Sequence, residues 1–207
     1  LTLNRIKALP QEVYEKIKAG EVIEDPASVV RELLDNAIDS KATKILVEIK
    51  EGGIGEILIR DNGMGMSEAD LEICTHHHTT SKIMNFEDIF QLQTAGFRGE
   101  ALASIAKVSF LKITSSDNDS GMGNTILIEG GKVVKKGKEA HPRGTTLVIK
   151  NIFFNVPVRK KFLSSPVKET RKIKQEVNIK ALAFSEVHFQ FKINQKLVFN
   201  YSSKPLE

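Results

Sequence analysis

The architecture this 207-residue sequence predicts is an α/β sandwich built on a mixed sheet. Segments that alternate with period two are interleaved with segments of helical period, and the order lacks the regular strand-helix-strand repeat that a doubly wound sheet requires. An apolar content of 41% in a chain of this length supports one sizeable core.

The first element opens at Asp25-Pro26, an N-cap acid followed by proline at the first helical position, and continues through Arg31-Glu-Leu-Leu-Asp-Asn-Ala-Ile-Asp39. Val29, Val30, Leu33, Leu34, Ala37 and Ile38 form its buried side, while Glu32, Asn36 and Asp39 share one polar stripe. Residues 44–50 and 56–60 alternate through Ile45, Val47, Ile49, Ile57 and Ile59, which predicts a hairpin broken at Gly52-Gly53. A helix follows Ser67 and carries Cys74 as a small buried side chain. Another starts after Gly96-Phe97-Arg98-Gly99, with Leu102 and Ile105 on its buried face. Ser115 to Asn124 reads as a flexible loop, residues 125–129 and 132–136 as a hairpin around Gly130-Gly131, and 144–150 as a strand. From Pro166 a long helix repeats Ile173, Val177, Ala181 and Phe184, and Val187 to Ile193 alternates as a last strand.

Three segments carry candidate chemistry. A carboxylate and a carboxamide on one helix stripe need a polar partner, solvent or ligand. At the end of the second strand, Asp61-Asn62-Gly63-Met64-Gly65-Met66 offers a fixed carboxylate that can accept from the amino group of a base, with glycines that let backbone approach closely. Alone, this motif also reads as an Asx-turn closing a strand. The glycine-flanked turn from Gly96 leads into a helix N-terminus, which suits a polyphosphate, and Thr80, Ser81 and Lys82 add hydroxyls and an ammonium. A Walker loop is nowhere in the chain.

Together, Glu32-Leu-Leu-Asp-Asn36-Ala-Ile-Asp39, Asp61-Asn-Gly63-Met-Gly65, Thr80-Ser-Lys82, Gly96-Phe-Arg-Gly-Glu-Ala-Leu102 and Gly144-Thr-Thr146-Leu resemble the four-motif ATP site of the GHKL superfamily. Within it, the chain is most similar to the amino-terminal ATPase domain of MutL proteins of DNA mismatch repair. The added matches are Ala19-Gly20-Glu21-Val22, Pro26 to Val30, Gly96 to Ile105 and Phe154 to Phe162. The resemblance implies the Bergerat fold, a two-layer sandwich whose mixed, mostly antiparallel sheet carries helices on one face. Residues 1–22 would be an N-terminal strap, and 1–207 a single ATPase domain without the transducer and carboxy-terminal dimerisation domains.

Residue by residue, the resemblance implies Glu32 as the general base on water, Asn36 as the Mg²⁺ ligand and Asp61 as acceptor of the adenine amino group. It implies nucleotide contacts from Asp39, Gly63, Gly65 and Met66, and from Thr80, Ser81 and Lys82. A phosphate-covering lid would comprise Gly96, Phe97, Arg98, Gly99, Glu100, Ala101 and Leu102, with Thr146 supporting the adenine contact. The implied cofactors are ATP and Mg²⁺. The implied partners are DNA bound without sequence preference, a MutS-type mismatch-recognition protein and a MutL-type dimer partner met on ATP binding. The alternative is a nucleotide-gated DNA-binding and dimerisation module with negligible catalysis of its own, because the family completes its γ-phosphate site with a lysine from the transducer. Asp35, one turn from Glu32, would raise the pKa of that base. Lys41 stands where glycine is frequent, so a positive φ there would be costly.

A net charge of +4 and a pI near 9.0 rest on Lys135-Lys136, Lys138, Arg159-Lys160-Lys161, Arg171-Lys172 and Lys174. This excess suits either the DNA backbone or a solvated face. His76-His77-His78 is a poor metal site, since successive helical residues diverge and no acidic or cysteine cluster is near; His78 is expected to support the Thr79-Thr80-Ser81-Lys82 turn. One cysteine excludes an intrachain disulfide, and no apolar run reaches membrane length, so a cytoplasmic, nucleoid or nuclear setting is expected.

Overall fold

The computed structural model describes residues 10, 18–19, 21–76 and 100–203. Eight strands form one sheet: β1 (Lys44–Lys50), β2 (Glu56–Asp61), β3 (Phe110–Ser116), β4 (Met122–Glu129), β5 (Lys132–Ala140), β6 (Gly144–Lys150), β7 (His188–Ile193) and β8 (Lys196–Tyr201). Their spatial order is β5-β4-β3-β6-β2-β1-β7-β8. Every neighbouring pair is antiparallel except β1 with β7, where Lys44 faces His188 and Ile49 faces Ile193. The mixed, mostly antiparallel sheet is therefore as the sequence predicts.

Register places one apolar row across the sheet: Phe191, Val47, Ile59, Leu147, Ile113 and Ile126 are aligned partners. All six are buried in one continuous core. The described helices are α1 (Pro26–Asp39), ahead of β1, α2 (Glu68–Ile73) and α3 (Ala101–Val108), between β2 and β3, and α4 (Pro157–Phe162) and α5 (Pro166–Ala183), between β6 and β7. Those that enter the core do so on this face, through Val30, Leu34, Leu71, Ile105, Ile173 and Val177. Leu46, Leu58, Arg60, Lys112 and Val148 point the other way and stay half-buried or exposed.

α1 starts as its sequence dictates. Asp25 Oδ1 accepts from the Ser28 N–H at 2.9 Å and Ser28 Oγ accepts from the Asp25 N–H at 3.1 Å, a reciprocal capping box ahead of Pro26. It ends in a Schellman arrangement: the Lys41 N–H donates to Ile38 O at 2.9 Å and the Ala42 N–H to Ala37 O at 3.2 Å. Lys41 accordingly adopts φ 62°, in the position where glycine is the unstrained choice. α5 is fastened along α1 by charge as well as core contacts. Arg31 bridges to Glu176 at 3.1 Å, Lys180 pairs with Asp35, and Lys172 joins Asp25 at 2.9 Å and the fully buried Glu169 at 3.1 Å.

Several elements differ from the expectation. Ser115 and Ser116 end β3 and Met122 to Asn124 begin β4, so the expected loop 115–124 shrinks to a turn between two strands. β3, β8 and the six-residue α4 add to the elements expected from sequence, and β5 runs on to Ala140. β5 lies at the sheet edge with every residue exposed, and its lysines discourage further strands from adding there.

Candidate functional site

The site forms where the C-terminal end of α1 meets the end of β2. Met64 donates its N–H to Ser40 O at 2.9 Å, and a Cβ on Gly63 would lie 2.0 Å from Ser40 Oγ, so only glycine permits this approach. Gly65 takes φ +72°, and a side chain there would meet Ser116 O at 1.9 Å. Asn62 anchors the turn to the start of β1, accepting from the Thr43 and Lys44 N–H groups at 2.9 and 2.8 Å. The half-buried Glu32, Asn36 and Asp39 of α1 thus end up on the helix that the Asp61 turn packs against.

Asp61 is only 7% exposed. Its Oδ1 accepts from the Gly63 N–H at 2.9 Å, so the motif is an Asx-turn as well as a buried carboxylate. Burial pushes its pKa up to about 6, while the backbone N–H groups of Gly63 and Thr145 oppose that rise. A carboxylate so placed keeps acceptor capacity for a ligand amino group.

Thr146 does not join Asp61. In the β2–β6 register Asp61 faces Thr145 and Arg60 faces Thr146, so strand alternation turns the Thr146 side chain to the opposite face. There its hydroxyl accepts from Arg60 Nε at 3.2 Å and lies 2.8 Å from His141 Nε2. The threonine beside Asp61 is Thr145. Its hydroxyl lies 2.9 Å from Ser115 Oγ, which also accepts from the Met66 N–H at 2.9 Å and approaches Gly144 O at 3.0 Å. Parity alone identifies Thr145, because Leu147 and Ile149 are the inward residues of β6. Ser115 carries no comparable signal, being polar, yet it is fully buried.

Glu100 is the N-cap residue of α3 and accepts from Lys18 Nζ at 3.2 Å, which ties a residue of the expected strap to the end of the expected lid. Ala101 and Leu102 are half-buried at the start of α3. Thr80, Ser81, Lys82, Gly96, Phe97, Arg98 and Gly99 lie outside the described residues, as do His77 and His78. Asp35, expected to act on Glu32, instead presents its carboxylate to Lys180 of α5.

The oxygen donors fit a hard cation: Asn36 brings an amide oxygen to the stripe that also holds Glu32 and Asp39. Among the described residues, no three His, Cys, Asp or Glu side chains converge as a self-sufficient metal cluster. A cation here would complete its shell from phosphates and water. Cys74 caps α2, donates to Leu71 O at 3.2 Å, and has its pKa pushed up to about 12 by burial, which makes it an inert thiol. The basic residues are split. Lys136 pairs with Glu72 and Lys172 with Asp25 and Glu169, whereas Lys160, Lys161, Arg171 and Lys174 are exposed. Among the described residues, no helix is long and apolar enough to cross a membrane.

A mixed sheet with helices on one face, a buried Asp at a strand end and a Glu/Asn stripe on the adjoining helix define a GHKL-type ATP-binding fold. Residues 23–146 match the family described as histidine kinase-, DNA gyrase B-, and HSP90-like ATPase, and the chain belongs to it. More narrowly, it is similar to DNA mismatch repair proteins MutL. It is 48% identical over 202 residues to that of Fervidobacterium nodosum, covering 98% of this chain and 34% of that protein. To that of Flavobacterium psychrophilum it is 46% identical over 195 residues, covering 94% and 32%. Among solved structures, the Aquifex aeolicus MutL ATPase domain complexed with ADP superposes with a TM-score of 0.72 at 31% identity, covering 89% of this chain and 66% of that one. The chain spans about a third of the length of these curated relatives.

Proposed function

We propose that this chain is the ATP-binding and ATP-hydrolysing domain at the amino terminus of a MutL-type DNA mismatch-repair protein. The observation that carries the reading is the buried Asp61, held by its own turn against the end of the helix that bears Glu32 and Asn36. The similarity to an ADP-complexed MutL ATPase domain supports it, as does likeness to the N-terminal domain of a DNA repair protein at a TM-score of 0.76 and 26% identity.

Asp61 accepts from the adenine amino group, and Gly63, Gly65 and Met66 shape the base pocket, with Thr145 in the place expected for Thr146. Along α1, Glu32 takes a proton from the water that attacks the γ-phosphorus, while Asn36 and Asp39 face the phosphate end. Asn36 would hold Mg²⁺, which supplies neutralisation of the charge spreading over the transferred phosphoryl group. Thr80 to Lys82 and Gly96 to Leu102 close over the phosphates and exclude water. The Lys18–Glu100 contact supports a strap that orders together with this lid and carries dimerisation with a MutL-type partner. Recruitment by a MutS-type protein and a setting in the cytoplasm or nucleoid follow from the same family. The exposed Lys160, Lys161, Arg171 and Lys174 favour contact with the DNA backbone, so a nucleotide-gated DNA-binding module with little turnover is the second reading.

Calorimetric titration with ADP and Mg²⁺, beside the guanine nucleotide and Asp61→Asn, tests the proposal. Adenine-selective binding lost in the variant is expected, and equal binding of guanine would overturn it.

A further inference from the structure

Ser115 makes three polar contacts with one hydroxyl. Its Oγ accepts from the Met66 N–H at 2.9 Å, lies 3.0 Å from Gly144 O, and lies 2.9 Å from Thr145 Oγ1. A serine hydroxyl has one proton to give, and a carbonyl oxygen can only accept. Ser115 Oγ donates to Gly144 O, which commits its proton, so the Thr145 hydroxyl donates to Ser115 Oγ. That leaves the lone pairs of Thr145 directed away from Ser115, on the face it shares with Asp61.

We infer that Ser115 is a positioning residue for base selection: it orients the Thr145 hydroxyl so that the pocket beside Asp61 presents acceptors only. A pocket lined by a carboxylate and a hydroxyl turned acceptor-outward welcomes a purine with an amino group at position 6. It repels one with a carbonyl oxygen there, because two acceptors then face each other without a proton. This inference rests on the reading of Asp61 as the base acceptor and adds a residue that does not itself touch the nucleotide. It also gives Ser115 a second task, since the same oxygen pins the Met66 N–H and so fixes the end of the Asp61–Met66 turn.

Ser115 sits in the row Asp61, Thr145, Ser115, Asn124, the polar end of a sheet face that is otherwise apolar. It is fully buried, so a hydroxyl there has to satisfy its bonds inside the fold.

The experiment compares ADP with inosine diphosphate, which differ at position 6 of the base and share their phosphates, by calorimetry with Mg²⁺. The wild type is expected to prefer ADP. In Ser115→Ala the Thr145 hydroxyl is released to donate, so the ADP-to-inosine diphosphate ratio should fall about tenfold, with weaker ADP and tighter inosine diphosphate binding. In Thr145→Val the ratio should fall likewise, and adding Ser115→Ala should then change it no further. An equal loss of affinity for both nucleotides in Ser115→Ala would assign the serine a structural role and overturn the inference. So would an unchanged ratio in Thr145→Val, a variant that decides the matter even if circular dichroism shows Ser115→Ala to be unfolded. A wild type that binds both nucleotides equally, or an Asp61→Asn variant that binds ADP normally, would instead overturn the adenine assignment on which the inference stands.

Discussion

The Gly63 N–H donates to Asp61 Oδ1 at 2.9 Å, so the carboxylate proposed to accept from the base also closes the turn that holds it in place. The bond offsets only part of what burial costs. The Asp61 pKa stands at about 6 against an ordinary value of 3.8, which means the folded state holds this proton more tightly than the unfolded chain does. The sign follows: the contribution to stability is full below pH 3.8 and is lost as pH rises through about 6. At pH 8 the buried charge therefore costs on the order of 3 kcal/mol. Asp61→Asn keeps an acceptor for Gly63 and removes that charge. Its thermal midpoint should exceed that of the wild type at pH 8, the gap should close by pH 4, and ADP affinity should fall.

His141 works in the other direction. Its Nδ1 lies 2.6 Å from Pro142 O, a carbonyl that can only accept, so Nδ1 carries the proton. Thr146 accepts from Arg60 Nε and donates to His141 Nε2, which fixes a neutral ring. Burial, aided by the Arg60 charge, holds the pKa below its usual 6.5. Stability from this group is present above 6.5 and lost as pH falls from there through the lowered value. Measured in an Asp61→Asn background, which silences the opposing titration, the melting temperature should step down below pH 6.5, and the step should vanish in His141→Gln.

Lys41 carries φ 62° at the end of α1. The bond from the next residue, Ala42 N–H to Ala37 O, requires that conformation, so the strain is built into the helix stop. Lys41→Gly should raise stability by about 1 kcal/mol and the thermal midpoint by roughly 2–4 °C. A midpoint that falls would show the lysine side chain to hold more than its backbone costs.

Glu32→Ala should leave ADP binding within about twofold of wild type and lower ATP turnover by about 10²-fold or more, the usual worth of a general base. Turnover is followed as phosphate release from ATP in the presence of Mg²⁺. Retained hydrolysis would remove Glu32 from the reaction.

The legible parts of this fold are those in which one physical demand dominates. α1, β1, β2, β6 and β7 bury a regular apolar set, and their period shows it. β8 has Lys196, Leu197, Val198, Asn200 and Tyr201 exposed, so no inward set marks it. α4 buries no residue and likewise leaves no stripe. Ser115 and Ser116 read as loop because serines usually face water; both are buried strand, Ser115 holding the Met66 N–H of the Asp61 turn and Ser116 donating to Asn118 O and Met122 O in the turn between β3 and β4. Thr145 and Thr146 are both threonines of one motif, and the alternation of Leu147 and Ile149 separates the inward Thr145 from the outward Thr146. Lys172 counts towards a basic cluster in sequence, yet the structure turns it onto Asp25 and Glu169. The Asp25 partner, far off in sequence, leaves no local trace.

The strand order has a consequence for how the site comes into being. β6 is inserted between β2 and β3, so Asp61 meets Thr145 only after the whole stretch between them has been made. On a growing chain, the β1–β2 hairpin can form early from local contacts, with its Asp61 at an open edge, hydrated and an ordinary acid. Insertion of β6 brings Thr145 beside that carboxylate. A nucleotide held by Asp61 and Thr145 would therefore stabilise only chains in which β6 is already in place.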